Sequence, residues 1–101
     1  MSAYRRSFTT TLAIVAMTAA TGALAQSGYG QVVLDNQMSV TVDLSVDGRY
    51  GCRALARLNC TTQEVIGYHV LTATASDGRS TQQIVENLLQ GEVYTFRVWE
   101  E

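Results

Sequence analysis

The sequence predicts an all-β fold: a small antiparallel β-sandwich of about six to seven short strands, pinned by one disulfide and preceded by a signal peptide. Three observations carry that prediction. Met38, Val40, Val42, Leu44 and Val46 alternate strictly with Ser39, Thr41, Asp43, Ser45 and Asp47. That period of two puts one apolar face on an extended strand, and no helix reproduces it. Turn signals, notably Asp47-Gly48 and Asp77-Gly78, then punctuate the chain at the spacing of a sandwich of short strands. Finally, Cys52 and Cys60 lie in a chain that opens with an export leader, and exported chains meet an oxidising compartment.

The leader comes first. Arg5 and Arg6 form a positive n-region, residues 12–20 (LAIVAMTAA) are apolar and uncharged, and Ala23-Leu24-Ala25 is a small-x-small cleavage site. The apolar run is too short to span a bilayer. Cleavage after Ala25 removes 25 of 101 residues and leaves 76, a periplasmic or secreted product with no integral membrane segment. Arg5-Arg6-Ser7-Phe8 partly matches a twin-arginine motif, but Tyr4 and Thr9-Thr10 depart from it. Both the general and the twin-arginine routes stay open. Neither cysteine follows the cleavage site, so no lipid anchor is expected.

Beyond the leader, five arginines face nine carboxylates. An acidic surface repels phosphate backbones, which argues against a nucleic-acid partner, and no basic patch offers itself to anionic lipid. A single domain of this size has a marginal core and benefits from a staple. The C-x7-C spacing of Cys52 and Cys60 is neither a C-x-x-C redox pair nor, with His69 the only histidine, a four-ligand zinc site. A structural disulfide is the expectation.

Residues 26–37 read as a flexible segment (QSGYG), a short edge strand at Val32-Val33-Leu34 and a turn at Asp35-Asn36-Gln37. The sandwich proper is expected over residues 38–101. The alternating strand ends at Asp47-Gly48, a pair that tolerates positive φ at both positions and so favours a two-residue hairpin. The chain returns through Arg49-Tyr50-Gly51-Cys52. Residues 52–60 (CRALARLNC) fit either a strand or a helical turn. A fully extended eight-residue step would span over ~20 Å, whereas bridged cysteines need Cα atoms within ~7 Å, so a disulfide here requires the segment to fold back. Residues 68–75 (YHVLTATA) form a strand with Val70, Thr72 and Thr74 on one face and Leu71, Ala73 and Ala75 on the other. After Asp77-Gly78, residues 80–90 carry Ile84, Val85, Leu88 and Leu89 at a spacing a helix could use; turn signals at both ends favour a strand. Residues 93–99 (VYTFRVW) close the fold, with Tyr94, Phe96 and Val98 on one side. The chain has no proline, so its strand edges must be guarded by charge and loops.

The order Val46-Asp47-Gly48, return strand, Gly67-x-His69, Asp77-Gly78 and Gly91-Glu92 before a closing strand resembles the PEGA-type small β-sandwich domains of bacterial and archaeal surface proteins. The resemblance spans residues 38–99. The Pro-Glu-Gly-Ala signature itself is replaced by Glu64-Val65-Ile66-Gly67, and the return strand lacks the usual proline. The resemblance implies an extracytoplasmic, non-enzymatic accessory module with no catalytic residues to transfer.

The residues themselves offer little reactive chemistry, and no catalytic, cofactor-binding or metal-binding residue is expected. His69 is the sole possible histidine base, and a nucleophile would have to lie near it; Ser76 and Asp77 fall at a turn. The expected role of His69 is a hydrogen bond to backbone at the start of its strand. Asp43 lies on the wet face, and Asp47 and Asp77 initiate turns. The repeated Asp-Gly-Arg at 47–49 and 77–79 reads as two hairpin tips, or as two arginines that grip a carboxylate-bearing partner. For a binding patch the best residues are Arg49, Tyr50 and Tyr68 near the Cys52–Cys60 loop. The expected function is non-enzymatic binding of an envelope protein or cell-surface component; the alternative is a secreted hydrolase inhibitor that presents the disulfide loop.

Overall fold

The computed structural model describes residues 27–100; the predicted signal peptide lies outside them. Seven strands form the described chain: β1 (Tyr29–Asn36), β2 (Val42–Val46), β3 (Arg49–Ala54), β4 (Asn59–Val65), β5 (Gly67–Ala75), β6 (Ser80–Leu88) and β7 (Val93–Val98). They make two sheets, a three-stranded one in the order β4-β1-β7 and a four-stranded one in the order β3-β2-β5-β6. The fold is the all-β sandwich that the alternation predicts. Among the described residues no helix is long and apolar enough to cross a membrane. All strand pairs are antiparallel except β1 with β7, which run parallel from Gln31↔Val93 to Asn36↔Val98.

The two inner faces supply the core. Val32 and Leu34 from β1, with Tyr94, Phe96 and Val98 from β7, meet Val42, Leu44 and Val46 from β2 and Leu71, Ala73 and Ala75 from β5. The alanines of β5 are all buried, as their side of the strand predicts. β6 is a strand and not a helix: Val85 and Leu88 point inward while Ile84 stays exposed. A helical stripe would have buried Ile84 with them.

Two Asp-Gly turns close the hairpins within the four-stranded sheet. Asp47 and Gly48 have φ of 53° and 84°, and Val46 pairs directly with Arg49. This is the two-residue turn with both φ positive, whose twist matches the flanking strands. The β5–β6 turn is wider. Gly78 alone has positive φ there, and the Arg79 amide donates to Asp77 Oδ1 at 3.2 Å.

The structure corrects the sequence at the start of the domain. Residues 29–36 form one eight-residue strand, central in its sheet, where a flexible segment, a short edge strand and a turn were expected. Gly30 is not a flexible residue. A Cβ there would lie 2.8 Å from the Leu89 carbonyl oxygen and 2.9 Å from the Leu88 side chain, so glycine lets the β6–β7 turn close on β1. Asn36 is not a turn residue; it is fully buried. Its Nδ2 donates toward the carbonyls of Val40 (2.9 Å), Ala54 (3.1 Å) and Leu55 (3.1 Å), and its Oδ1 accepts the Met38 amide at 2.9 Å. The following strand begins at Val42, not Met38. Residues 37–41 cross from one sheet to the other, and Met38 is buried within that crossing.

Residues 52–60 fold back, as the disulfide requires. β3 and β4 belong to different sheets, and the corner at residues 55–58 joins them. Cys52 and Cys60 bridge the sheets there, with Cα atoms 6.1 Å apart. Arg57 turns the corner with φ of 66° and donates from Nη1 to the Gln37 carbonyl at 2.6 Å.

Candidate functional site

The polar centre of the molecule lies where the β2–β3 turn meets the link between β4 and β5. His69 is 3% exposed. Its Nδ1 is 2.6 Å from Asp47 Oδ2 and its Nε2 is 2.6 Å from the Val65 carbonyl. A carboxylate and a carbonyl are both acceptors, so both ring nitrogens must donate and the imidazole is held protonated. Asp47 is fixed from a second side, because its Oδ1 accepts the Val70 amide at 2.8 Å. Beside this pair Glu64, 3% exposed, accepts from Arg49 Nη2 and from the Thr62 hydroxyl, each at 2.8 Å. His69 thus ties β5 to the turn in its own sheet and to β4 of the other.

The titration of the pair follows from these contacts. Burial alone would push the His69 imidazolium below its usual range. The Val65 carbonyl, the Asp47 carboxylate and the charge of Glu64 outweigh burial and raise its pKa. Burial alone would raise Asp47; the Val70 amide, the His69 imidazolium and the charge of Arg49 outweigh it and lower its pKa. A raised histidine contributes stability that is whole below its ordinary 6.5 and is lost as pH rises through the folded value. A lowered aspartate contributes stability that is whole above its ordinary 3.8 and is lost as pH falls through the folded value. Both contributions are therefore complete between those two ordinary values. Thermal melts taken across pH are expected to fall off on the alkaline side of this window, and His69→Gln is expected to lower the plateau by about 2 kcal/mol and flatten that alkaline limb. An alkaline limb identical in His69→Gln and the parent would refute the assignment.

The expected backbone hydrogen bond of His69 is present, yet it is half of its role. Asp47 likewise does more than start a turn. Glu64 was missed in the sequence. It shares the inward face of an edge strand with Thr62, and only the fold back at residues 55–58 brings it to Arg49. Ser76 and Asp77 stand at the far end of β5 from His69, several strand residues and roughly 20 Å away. The two Asp-Gly-Arg tips lie at opposite ends of the sandwich, since β5 runs antiparallel to β2 from Val46↔Leu71 to Val42↔Ala75. Arg49 is occupied by Glu64, and Arg79 Nη2 by Asp77 at 2.6 Å and Glu100 at 3.2 Å. Among the described residues no three His, Cys, Asp or Glu side chains cluster as metal ligands do.

The residues expected to form a patch divide. Tyr50 and Tyr68 are 61% and 60% exposed. Both stand on the outer face of the four-stranded sheet. Tyr50 pairs with Ser45 and Ser45 with Thr72. Tyr68 lies four residues before Thr72, so the tyrosines stand about 13 Å apart along the strands and about 10 Å across them. Half-buried Val70 lies on the same face as Tyr68. The Arg49 side chain instead turns to β4. At the other end Leu55 and Leu58, 55% and 57% exposed, project from the disulfide-bounded corner. Leu55 also walls a shallow depression of about 340 Å³ with Thr41, Asp43, Arg53, Thr74, Ala75 and Ser76. There Arg53 grips Asp43 through Nε at 2.7 Å and Nη2 at 3.2 Å.

No protein-family model matches the sequence, and no curated protein matches it.

Proposed function

We propose that the chain is exported, loses its leader after Ala25, and works without catalysis as a rigid sandwich that binds an envelope protein or cell-surface component. The resemblance to PEGA-type domains points the same way. The observation that supports it is the pair of exposed tyrosines, Tyr50 and Tyr68, on the outer sheet face. Tyrosine supplies large amphipathic contact area with few torsions to freeze. The strands beneath them are braced by the disulfide and by the His69–Asp47 pair, so little further order is lost on docking.

One observation favours the inhibitor reading as a second possibility: two exposed leucines crown a loop closed by a disulfide. A single capture experiment separates the readings. The parent protein, immobilised and exposed to envelope extract, is expected to retain a partner that Tyr50→Ser/Tyr68→Ser releases, with affinity reduced about a hundredfold. A hydrolase retained and inhibited at one-to-one ratio, and released by Leu55→Ser/Leu58→Ser, would establish the inhibitor instead. Retention indifferent to both double variants would reject both surfaces.

A further inference from the structure

We propose that the free edge of β6 pairs with the same strand of a second copy, two-fold related, to join two four-stranded sheets into one continuous eight-stranded sheet. β6 ends the strand order of its sheet and pairs with β5 alone. Long edges are normally guarded by lysine, proline, inward charge or a bulge. Ser80 to Val85 is in regular register and carries no proline, no charge and no bulge; the strand's one irregularity, Glu86 and Asn87 opposite Tyr68, and its only charged residue, Glu86, come after that stretch. The edges of β3 and β4, by contrast, lie together at the disulfide corner, and β7 exposes Arg97, which is tied to Asp35 at 2.9 Å.

The register follows from symmetry. Directly opposed residues of an antiparallel pair share a face, so a two-fold axis must pass through a residue and not between two. Through Val85 it would set Ile84 against Glu86. Through Gln83 it would set Ile84 against Gln82. Through Ile84 it sets Ile84 against its own copy and Gln82 against the partner's Glu86. Ile84, 48% exposed, already pairs with Val70 inside the chain. The join therefore lays down an unbroken apolar row, Val70 and Ile84 of one copy followed by the partner's Ile84 and the partner's Val70. In the neighbouring rows the lone carboxylate meets an amide donor. Gln82 Nε2 holds only a long 3.5 Å contact to Thr72 Oγ1 and is placed to donate to that carboxylate. Edge pairing supplies main-chain hydrogen bonds, and these side chains set the register. The proposal is independent of the tyrosine face and of export.

Sedimentation velocity of the purified protein tests it. The parent is expected to dimerise as concentration rises. Ile84→Arg opposes two cations at the axis and is expected to stay monomeric, with a circular dichroism spectrum like the parent's. Gln82→Glu sets carboxylate against carboxylate twice and is expected to weaken the dimer at least tenfold; adding Glu86→Gln to it is expected to restore the dimer. A parent that remains monomeric to its solubility limit would overturn the proposal, because the edge would then be closed or reserved for another strand. So would a dimer indifferent to Ile84→Arg and Gln82→Glu.

Discussion

Asn36→Asp is expected to destabilise the protein by about 3–5 kcal/mol, the largest effect of any single substitution considered. The side chain is fully buried, and its amide nitrogen faces three backbone carbonyls at 2.9–3.1 Å. A carboxylate there would turn those contacts into repulsions between acceptors at a position closed to bulk solvent. Against a total stability of about 5–15 kcal/mol for a domain, the loss leaves much of the population unfolded at physiological temperature. Asn36→Leu removes the same hydrogen bonds without adding a charge, and about 2–3 kcal/mol is expected. Urea denaturation of the two variants checks the argument. At neutral pH the aspartate variant should be the weaker, and the gap should narrow in acid, where a protonated carboxyl can donate one bond. Equal stability of Asn36→Asp and the parent would show that the crossing at residues 37–41 is held by something else.

Cys52→Ala/Cys60→Ala is expected to cost about 2–3 kcal/mol, the chain-entropy value for a loop of nine residues. The bridge joins the edge of one sheet to the edge of the other across the corner at residues 55–58. Its loss should act first on that corner, so amides of residues 55–58 are expected to exchange faster than those of β2 or β5. Denaturation midpoints measured with and without reductant check the magnitude. Reductant should lower the midpoint of the parent and leave that of the double variant unchanged. A double variant within about 0.5 kcal/mol of the parent would mean that β3 and β4 hold together without the staple.

How much of this was legible in the sequence depended on whether a residue's role was local. The turn at Asp47-Gly48 is a matter of two φ angles, and the pattern of β2 and β5 a matter of alternation; both stand in the sequence and both formed. β6 was separable from a helix only by the turns around it, and its exposed Ile84 confirms that reading. Gly30 and Asn36 misled because glycine and asparagine are turn residues in most settings. Here both occupy inward positions of β1, one to admit a neighbouring backbone and one to satisfy it, and those neighbours are distant in sequence. The candidate site divides in the same way. Tyr50 and Tyr68 are exposed on the outer sheet face, an outcome of simple alternation along their strands. The departure of Arg49 to Glu64 could not be read from residues fifteen positions apart, because the pairing exists only once the chain changes sheets between them.

The parallel alignment of the first and last strands has a consequence for biogenesis. β1 lies between β4 and β7, and Asp35 meets Arg97 across a sequence separation of 62. Half of the seam along β1 therefore has no mate until the C-terminal strand has been synthesised. Distant pairings of this kind are slow to form, so the three-stranded sheet is expected to be completed last. A chain cut short before Val93 would leave one side of β1 with open main-chain donors and acceptors, a ready template for a foreign strand.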